Sequence, residues 1–221
     1  MTKFSIPILD RLEHLYAARQ EEIERWLGQR RAEAPPHLTT SVDLRHSGVR
    51  CVPVDTNLYP AGFNNLSAAA RLRASRFIKR FLEERLPEAR RAIIIPENHT
   101  RNLPYLDSVS VLQQILTQAG VQSVIGGLSA SPGTPVELLS AQGKAIEEVP
   151  LRRAGPWLET QDGFRPDFVL LNNDCSTGVP EILEQIAQPI LPPPTLGWHI
   201  RRKSVHFEAY CALAEAFGQA F

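Results

Sequence analysis

The first long stretch of the chain, residues 8–31, repeats apolar side chains at the spacing of a helix. A period near 3.6 residues predicts an amphipathic helix with one apolar side. The prolines of the following EAPPH segment are expected to end it. The apolar positions on the shared side are Leu9, Leu12, Tyr16, Ile23 and Leu27.

Short runs rich in β-branched residues predict strands farther along the chain. The first two lie at residues 42–44 and in the VRCVPVD segment, 49–55. RAIIIP, residues 91–96, predicts a strand that is buried on both faces. VQSVIGG at 121–127 and DFVLLNNDCS at 167–176 predict two more.

Helical periodicity returns between these strands. Asn64 or Asn65 is expected to cap the first of the later helices, and Gly120 to close the second. The proline-rich segment at 189–198 is expected to be a linker or an extended wall. The predicted helices span residues 66–86, 106–116, 179–187 and from near 201 almost to the end.

The order of these elements predicts the fold class. Strand, helix, strand, helix, strand is typical of a parallel sheet with crossover helices. Residues 135–151 instead alternate apolar and polar positions on both sides of Gln142 and Gly143, which indicates a hairpin. We therefore expect an α/β protein with a Rossmann-like, mostly parallel sheet, flanking helices and an inserted hairpin.

Composition limits the partners of this chain. The 24 basic side chains balance the 24 acidic ones, so no overall field draws the protein onto nucleic acid or an anionic membrane. Cys51, Cys175 and Cys211 are widely spaced, which favours reduced thiols over a disulfide or metal framework. The N-terminus has no sustained apolar stretch, and we expect a soluble cytoplasmic protein.

Three of the predicted strands end in clusters of polar side chains. Ligands bind outside the carboxyl ends of parallel strands, where loops converge and helix N-termini offer N–H groups. We therefore expect the clusters to form one ligand-binding edge. Asn, Asp and Thr are also favoured at turns and caps, so a purely local role stays open for each cluster. The clusters are Asp55, Thr56 and Asn57; residues 97–102; and Asn172, Asn173 and Asp174.

The residue types at these strand ends favour recognition of a small zwitterion. Arg101 can bind a carboxylate through two parallel hydrogen bonds, and Glu97 or Asp174 can accept from an ammonium group. His99 could act as a base, although a single histidine beside a turn is more often a hydrogen-bonding bystander. Cys175 has no base placed beside it in the sequence, which favours a small buried residue over a nucleophile.

The segment GWHIRRKSVHF places Arg201, Arg202 and Lys203 at the expected start of the last helix. Positive charge there opposes the helix dipole unless an anion is nearby. A solvated basic surface and a phosphate-binding site are both compatible with this pattern. The motifs GxGxxG, GxxxxGKS/T and GxSxG are absent from the sequence, so the usual signals of dinucleotide reduction, P-loop hydrolysis and esterase chemistry are missing.

Four segments, taken in order, resemble the proteobacterial glutamate-cysteine ligase family. They are VDTNLYPAGFNNL, IIPENHTRN, LLNNDCSTGVPEIL and GWHIRRKSVHF, and the likeness covers nearly the whole chain. The resemblance implies an ATP-grasp-like ligase related to glutathione synthetase, acting in the first step of glutathione biosynthesis. Such enzymes join the γ-carboxylate of glutamate to the amine of cysteine through an acyl phosphate made from ATP with Mg²⁺.

The resemblance also implies ligands for particular residues. Glutamate and cysteine would be the small-molecule substrates, and ATP phosphates would meet Arg202 and Lys203. The carboxylates that hold magnesium are expected outside this chain. The residues expected to bind the amino acids are Asp55, Asn57, Asn64, Asn65, Glu97, Asn98, Thr100, Arg101, Asn102, Asn172, Asn173 and Asp174.

Members of the family that the chain resembles are much longer than 221 residues. We therefore expect an N-terminal half, either from a truncated reading frame or from one part of a split enzyme. Residues 1–197 would form the α/β substrate-binding domain, and residues 198–221 the start of the nucleotide-binding region. Such a piece is expected to bind substrates but to show little or no ligase activity alone.

Two other functions remain open at this point. The chain could be a non-catalytic α/β module that binds an amino acid or a partner protein. It could also be an interaction protein whose last helix, with Phe207, Tyr210, Leu213 and Phe217 on its apolar face, associates with a missing C-terminal half or with itself.

Overall fold

A computed structural model describes most of the chain and divides it into two compact units. Residues 1–58 belong to the first unit and residues 59–221 to the second. The described residues are 8–48, 50–59, 61–97, 102–128 and 134–221.

The first unit contains one helix and one hairpin. Helix α1 spans Ile8–Glu33, as the periodicity predicts, and its backbone leaves helical geometry at Arg19. Strands β1, Ser41–His46, and β2, Cys51–Asn57, pair antiparallel and form a two-stranded sheet of their own.

The position of β2 corrects the expectation that three polar clusters share one edge. Asp55 and Asn57 lie on β2, which pairs with β1 and is not a strand of the parallel sheet. The short connection between β1 and β2 favours a local hairpin. Pro53 also removes one backbone donor from β2, which suits a two-stranded ribbon better than the centre of a larger sheet.

The second unit alternates helices with strands. Its 3-10 turns lie at Phe63–Asn65, Glu181–Leu183 and Pro194–Leu196. Its helices and strands are α2 (Ala68–Arg85), β3 (Arg91–Pro96), α3 (Leu103–Gln118), β4 (Gln122–Gly127), β5 (Val136–Leu139), β6 (Ala145–Ala154), β7 (Trp157–Thr160), β8 (Phe168–Asn172), β9 (Ile190–Leu191) and α4 (Lys203–Ala220).

A seven-stranded, mostly parallel sheet organises this unit. The strand order is β5-β6-β4-β3-β8-β9, and β7 pairs with β6. β3 is parallel to β4 and β8, β4 is parallel to β6, and β8 is parallel to β9. β5 and β7 pair antiparallel with β6. The mixed α/β class, the parallel centre and the hairpin at Gly143 are therefore confirmed.

The core lies where β3 and β8 meet α3. Residues 92–95 of β3 and 168–171 of β8 are buried, as is typical of the central strands of a parallel sheet. Leu112, Ile115 and Leu116 of α3 are also almost completely buried. Because β3, β8 and α3 are packed in this core, the ends of the two strands have defined positions.

The segment from 179 to 198 differs from its prediction. Instead of a helix at 179–187 there is only the turn Glu181–Leu183, and Gln185 takes a positive φ of 53° that a helix does not tolerate. The proline-rich segment is not only a linker, because Ile190 and Leu191 form β9 beside β8. β7 was not predicted from the sequence.

The cap of α2 also differs from its prediction. Ser67, rather than Asn64 or Asn65, is the N-cap, and its side chain accepts a hydrogen bond from Ala70 N–H at 3.2 Å. Both asparagines lie in the preceding 3-10 turn.

Replacing Ser67 by alanine is therefore expected to destabilise the protein by about 1 kcal/mol, since the first turn of α2 loses an acceptor. Urea denaturation followed by circular dichroism measures the change. Asn64→Ala is the matched control and should leave the cap in place; an equal loss in both variants would contradict the assignment.

Helix α4 begins next to the basic residues, as predicted. None of its residues is buried, and Val205, Phe207 and Leu213 are exposed. Self-association through this face stays a prediction. None of the described helices is long and apolar enough to cross a membrane.

Candidate functional site

The carboxyl ends of β3 and β8 lie side by side. Pro96 and Asn172 are register partners at the last position of the parallel pairing. Glu97 and Asn173 follow them directly, so two of the three predicted polar clusters do meet at one edge of the sheet. The loops that leave these strands build the candidate site.

The hydroxyl of Tyr105 links the two strand ends. It accepts a hydrogen bond from Glu97 N–H at 2.8 Å. It also lies 2.9 Å from both the backbone and the side-chain oxygen of Asn172, and it donates to one of them. Tyr105 belongs to the first turn of α3, so this hydroxyl ties the helix to the sheet edge.

The charges around this hydroxyl are negative. Burial is the main reason that the pKa of Tyr105 is raised above its ordinary value of 10.0, although the hydrogen bond with Glu97 N–H opposes the shift. The carboxylates of Glu97, Asp174 and Glu148 raise this pKa further. The phenol is therefore neutral at physiological pH and keeps its donor proton.

The loop after β8 is held by its own polar side chains. Asn173 donates from Nδ2 to the Pro96 carbonyl at 3.2 Å and accepts from Cys175 N–H at 2.9 Å. Asp174 N–H donates to the Glu97 carboxylate. These bonds connect the loop after β3 to the loop after β8, and they occupy part of the hydrogen-bonding capacity of Asn173 and Glu97.

Cys175 is a buried residue with left-handed backbone geometry. Its φ is 52°, which is uncommon outside glycine, asparagine and aspartate. Burial, together with the negative charges of Glu97 and Asp174, raises the pKa of the Cys175 thiol to about 11. The thiol is therefore protonated at neutral pH, which supports the interpretation of Cys175 as a small buried residue.

The segment around Gly197 packs against the loop after β8. Trp198 N–H donates to the Asp174 carbonyl at 2.7 Å, and His199 Nδ1 lies 3.0 Å from the Cys175 carbonyl. A side chain at Gly197 would place its Cβ 2.8 Å from Cys175 Cβ and 2.9 Å from the Asp174 oxygen. The close approach of the two loops therefore requires a glycine at this position.

Tyr59 is a second tyrosine of this region. Its hydroxyl donates to the Pro193 carbonyl at 3.1 Å. Burial, followed by the charges of Cys175 and Asp174, raises the pKa of Tyr59 above 10.0. Sequence reasoning missed Tyr59, Tyr105 and His199, because each reaches the site from a distant segment.

The remaining predicted residues are distributed differently. Asn102 is the N-cap of α3, and its side-chain oxygen accepts from Tyr105 N–H at 3.2 Å. The turn that contains Asn64 and Asn65 is tied to α3 through Phe63 N–H, which donates to Ser108 Oγ at 3.1 Å. Residues 98–101, which include Asn98, His99, Thr100 and Arg101, lie outside the described residues.

Arg202 and Lys203, the predicted phosphate-binding residues, lie at the start of the last helix, as the sequence predicted. Arg202 is the N-cap residue of α4, and Lys203 is its first helical residue. Arg202 also donates to the Arg201 carbonyl at 3.0 Å. Phosphate binding at this helix start stays a prediction.

Magnesium ligands are not found in the described part of the chain. No group of three or more His, Cys, Asp or Glu side chains lies close enough together there to hold a metal ion. We therefore assign no metal ligand to these residues.

A pocket of about 370 Å³ lies at the opposite edge of the sheet, near the start of β3 and the end of α3. Its charged side chains already have partners: Lys79 lies 3.9 Å from Glu83, and Arg90 donates to two nearby carbonyls. We place the candidate site at the carboxyl edge, where the polar side chains converge.

An α/β sheet with polar loops at the carboxyl ends of its central strands is the architecture of many small-ligand enzymes. The family comparison is more specific. A model of the GshA family, glutamate-cysteine ligase, matches residues 13–221, and the chain belongs to this family. No curated protein matches the chain.

One solved structure extends this comparison. It is a protein of Methylobacillus flagellatus KT, determined at 1.90 Å and named there as a candidate gamma-glutamylcysteine synthetase. The TM-score is 0.88 at 39% sequence identity. The match covers 100% of this chain and 52% of that one, so the chain spans about half of the length of its structural relative.

Proposed function

We propose that this chain is the amino-acid-binding part of a glutamate-cysteine ligase. The reaction joins glutamate and cysteine at the cost of ATP and is the first step of glutathione biosynthesis. The observation that carries the proposal is the polar edge formed by the ends of β3 and β8, within residues that match the ligase family.

The chemistry of the reaction sets the requirements for this edge. The γ-carboxylate of glutamate attacks the terminal phosphorus of ATP and releases ADP, which converts a poor leaving group into an acyl phosphate. The amine of cysteine then attacks the acyl carbon, phosphate leaves, and an amide bond forms. Both steps depend on accurate positioning of two zwitterions, which bring ammonium groups as donors and carboxylates as acceptors.

The side chains at the edge match these groups. Glu97 and Asp174 offer carboxylates, and Asn172 and Asn173 offer amides that can donate or accept. Hydrogen bonds to Tyr105 and to backbone groups hold Asn172, Asn173 and Glu97 in place. We infer that this preorganised edge binds the amino-acid substrates.

ATP and magnesium complete the proposal. Such a ligase would use ATP with Mg²⁺, and we propose that Arg202 and Lys203 meet its phosphates at the start of α4. The ATP-grasp-like portion and the magnesium ligands would lie in the part of the longer relatives that this chain does not match. In this proposal residues 1–197 bind the amino-acid substrates, and residues 198–221 form the start of the nucleotide-binding region.

Arg101→Ala tests the binding of glutamate. We expect a loss of affinity of about tenfold or more, since a two-pronged charged contact contributes about 1.5–3 kcal/mol. Calorimetric titration with glutamate measures the effect. Arg73, which is exposed on α2, provides the control variant Arg73→Ala. Equal affinities of the two variants would remove Arg101 from the site.

A further inference from the structure

Glu148 is a carboxylate at an apolar position of the sheet. On β6 it alternates with Ile146 and Pro150, which are buried on the same side, and Ile125 and Val136 lie beside it on the neighbouring strands. The residue is 9% exposed. Within the described part of the chain it makes no hydrogen bond or ion pair. A buried carboxylate without a partner opposes folding, so its presence needs another explanation.

The register of the sheet places Glu148 on the face that carries the candidate site. Glu148 pairs with Ile125, and Ile125 pairs with Ile94, so the three side chains point to one face. The register of β3 with β8 puts the Asn172 side chain on this face as well. Tyr105, which bonds that side chain, shows that the first turn of α3 covers the same face.

The end of β4 brings the carboxylate to the edge of the sheet. A Cβ at Gly127, the last residue of β4, would lie 2.5 Å from Glu148 Oε1 and 2.7 Å from its Cγ. The Glu148 side chain therefore lies directly over this glycine, in the space that any larger residue would fill.

The surroundings of Glu148 are apolar or acidic. Its strand neighbours, Ile125 and Val136, carry no charge, and burial raises its pKa above 4.5. From α3, the Tyr105 hydroxyl is close enough for the charge of Glu148 to raise its pKa. Asp107, a buried carboxylate of the same helix, accepts a hydrogen bond from a backbone N–H of the hairpin turn. Among the described residues no cationic side chain pairs with Glu148, so a positively charged group of a ligand could be its partner.

We propose that Glu148 binds the α-ammonium group of glutamate. This inference rests on the proposed function. A buried carboxylate stabilises a positive charge on its ligand, and the ammonium of glutamate stays protonated throughout the reaction. The amine of cysteine must lose its proton before it attacks, so a carboxylate that favours the cation suits glutamate better than cysteine.

The test measures the affinity of the protein for glutamate and for glutarate, which lacks only the amine. Glu148→Gln removes the charge and preserves the shape. We expect this variant to bind glutamate about tenfold more weakly or worse, and to bind glutarate as the parent protein does. Glu147→Gln, at the adjacent exposed position of β6, should bind both ligands normally.

Two results would overturn the inference. Unchanged glutamate affinity in Glu148→Gln would show that the carboxylate does not meet the ammonium. An equal loss of affinity for glutamate and glutarate would show that Glu148 supports the structure of the site and does not bind the ammonium group. If the parent protein binds neither ligand, the proposed function fails together with this inference, whereas failure of Glu148 alone leaves glutamate binding by the parent intact.

Stability provides a second readout. Because the folded-state pKa of Glu148 is raised, its protonated form stabilises the fold below pH 4.5, and this stability is lost as pH rises through the folded-state pKa. Glu148→Gln should therefore raise the Tm at pH 7 relative to the parent protein, with a smaller difference at pH 4. A lower Tm at pH 7 would indicate a structural partner for the carboxylate and would contradict the inference.

Discussion

Tyr105→Phe is expected to destabilise the protein by about 2–4 kcal/mol, because each buried polar group that loses its partner costs about 1–3 kcal/mol. The hydroxyl accepts a hydrogen bond from Glu97 N–H and donates to an oxygen of Asn172. These groups lie at the junction of β3, β8 and α3. The ring stays in place in phenylalanine, so the change isolates the hydroxyl. Urea denaturation of the parent and the variant gives the difference in the free energy of unfolding.

The matched control is Tyr210→Phe on α4. Tyr210 is half-buried and donates no hydrogen bond within the described part of the chain. Its replacement should change the free energy of unfolding by less than about 0.5 kcal/mol. If both variants lose the same stability, the Tyr105 hydroxyl does not hold the strand ends together.

Gly197→Ala is expected to destabilise the protein by about 1–3 kcal/mol, the usual cost of an extra methyl group in a packed site. The backbone of Gly197 has φ −67° and ψ 168°, which alanine adopts without strain. The effect therefore comes from contact with Cys175 and with the Asp174 carbonyl. Because these residues belong to the candidate site, glutamate binding should weaken as well.

Gly218→Ala makes the same substitution where space is open. Gly218 lies in α4 with nothing within 4 Å of an added Cβ. Alanine is the better helix former by about 0.5–1 kcal/mol, so this variant should be slightly more stable than the parent. Thermal denaturation of both variants and the parent shows whether each substitution raises or lowers the Tm. A stabilising Gly197→Ala would contradict the close approach of the two loops.

The sequence predicted the centre of the fold because local and global signals agree there. Three consecutive isoleucines in β3 and the apolar run of β8 can only be buried on both faces, and the intervening helical periodicity requires crossover connections. The prediction put β2 in the wrong sheet. A run of β-branched residues is equally compatible with a strand of a hairpin and with a strand of a parallel sheet, so the sequence pattern does not distinguish them. β7 and β9 were missed because they are two to four residues long and depend on neighbours.

The candidate site was predictable only in part. Glu97 follows β3 directly, and Asn172 to Asp174 lie at the end of β8 and just after it, so their position at the edge was predicted from the sequence. Tyr59 and Tyr105 reach the edge through tertiary packing, which no local pattern reveals. Glu148 did leave a signal, since it occupies a position in the alternation of β6 that its neighbours Ile146 and Pro150 fill with apolar groups.

The most direct test of the account is the formation of γ-glutamylcysteine from glutamate, cysteine, ATP and Mg²⁺, followed by mass spectrometry. Residues 1–221 are assayed alone and, in parallel, as a full-length protein in which they are joined to a C-terminal half like the one by which the structural relative is longer. We predict product from the full-length protein only when all substrates are present, and little or none from residues 1–221. Absence of product from the full-length protein would contradict the ligase function and favour a non-catalytic amino-acid-binding module.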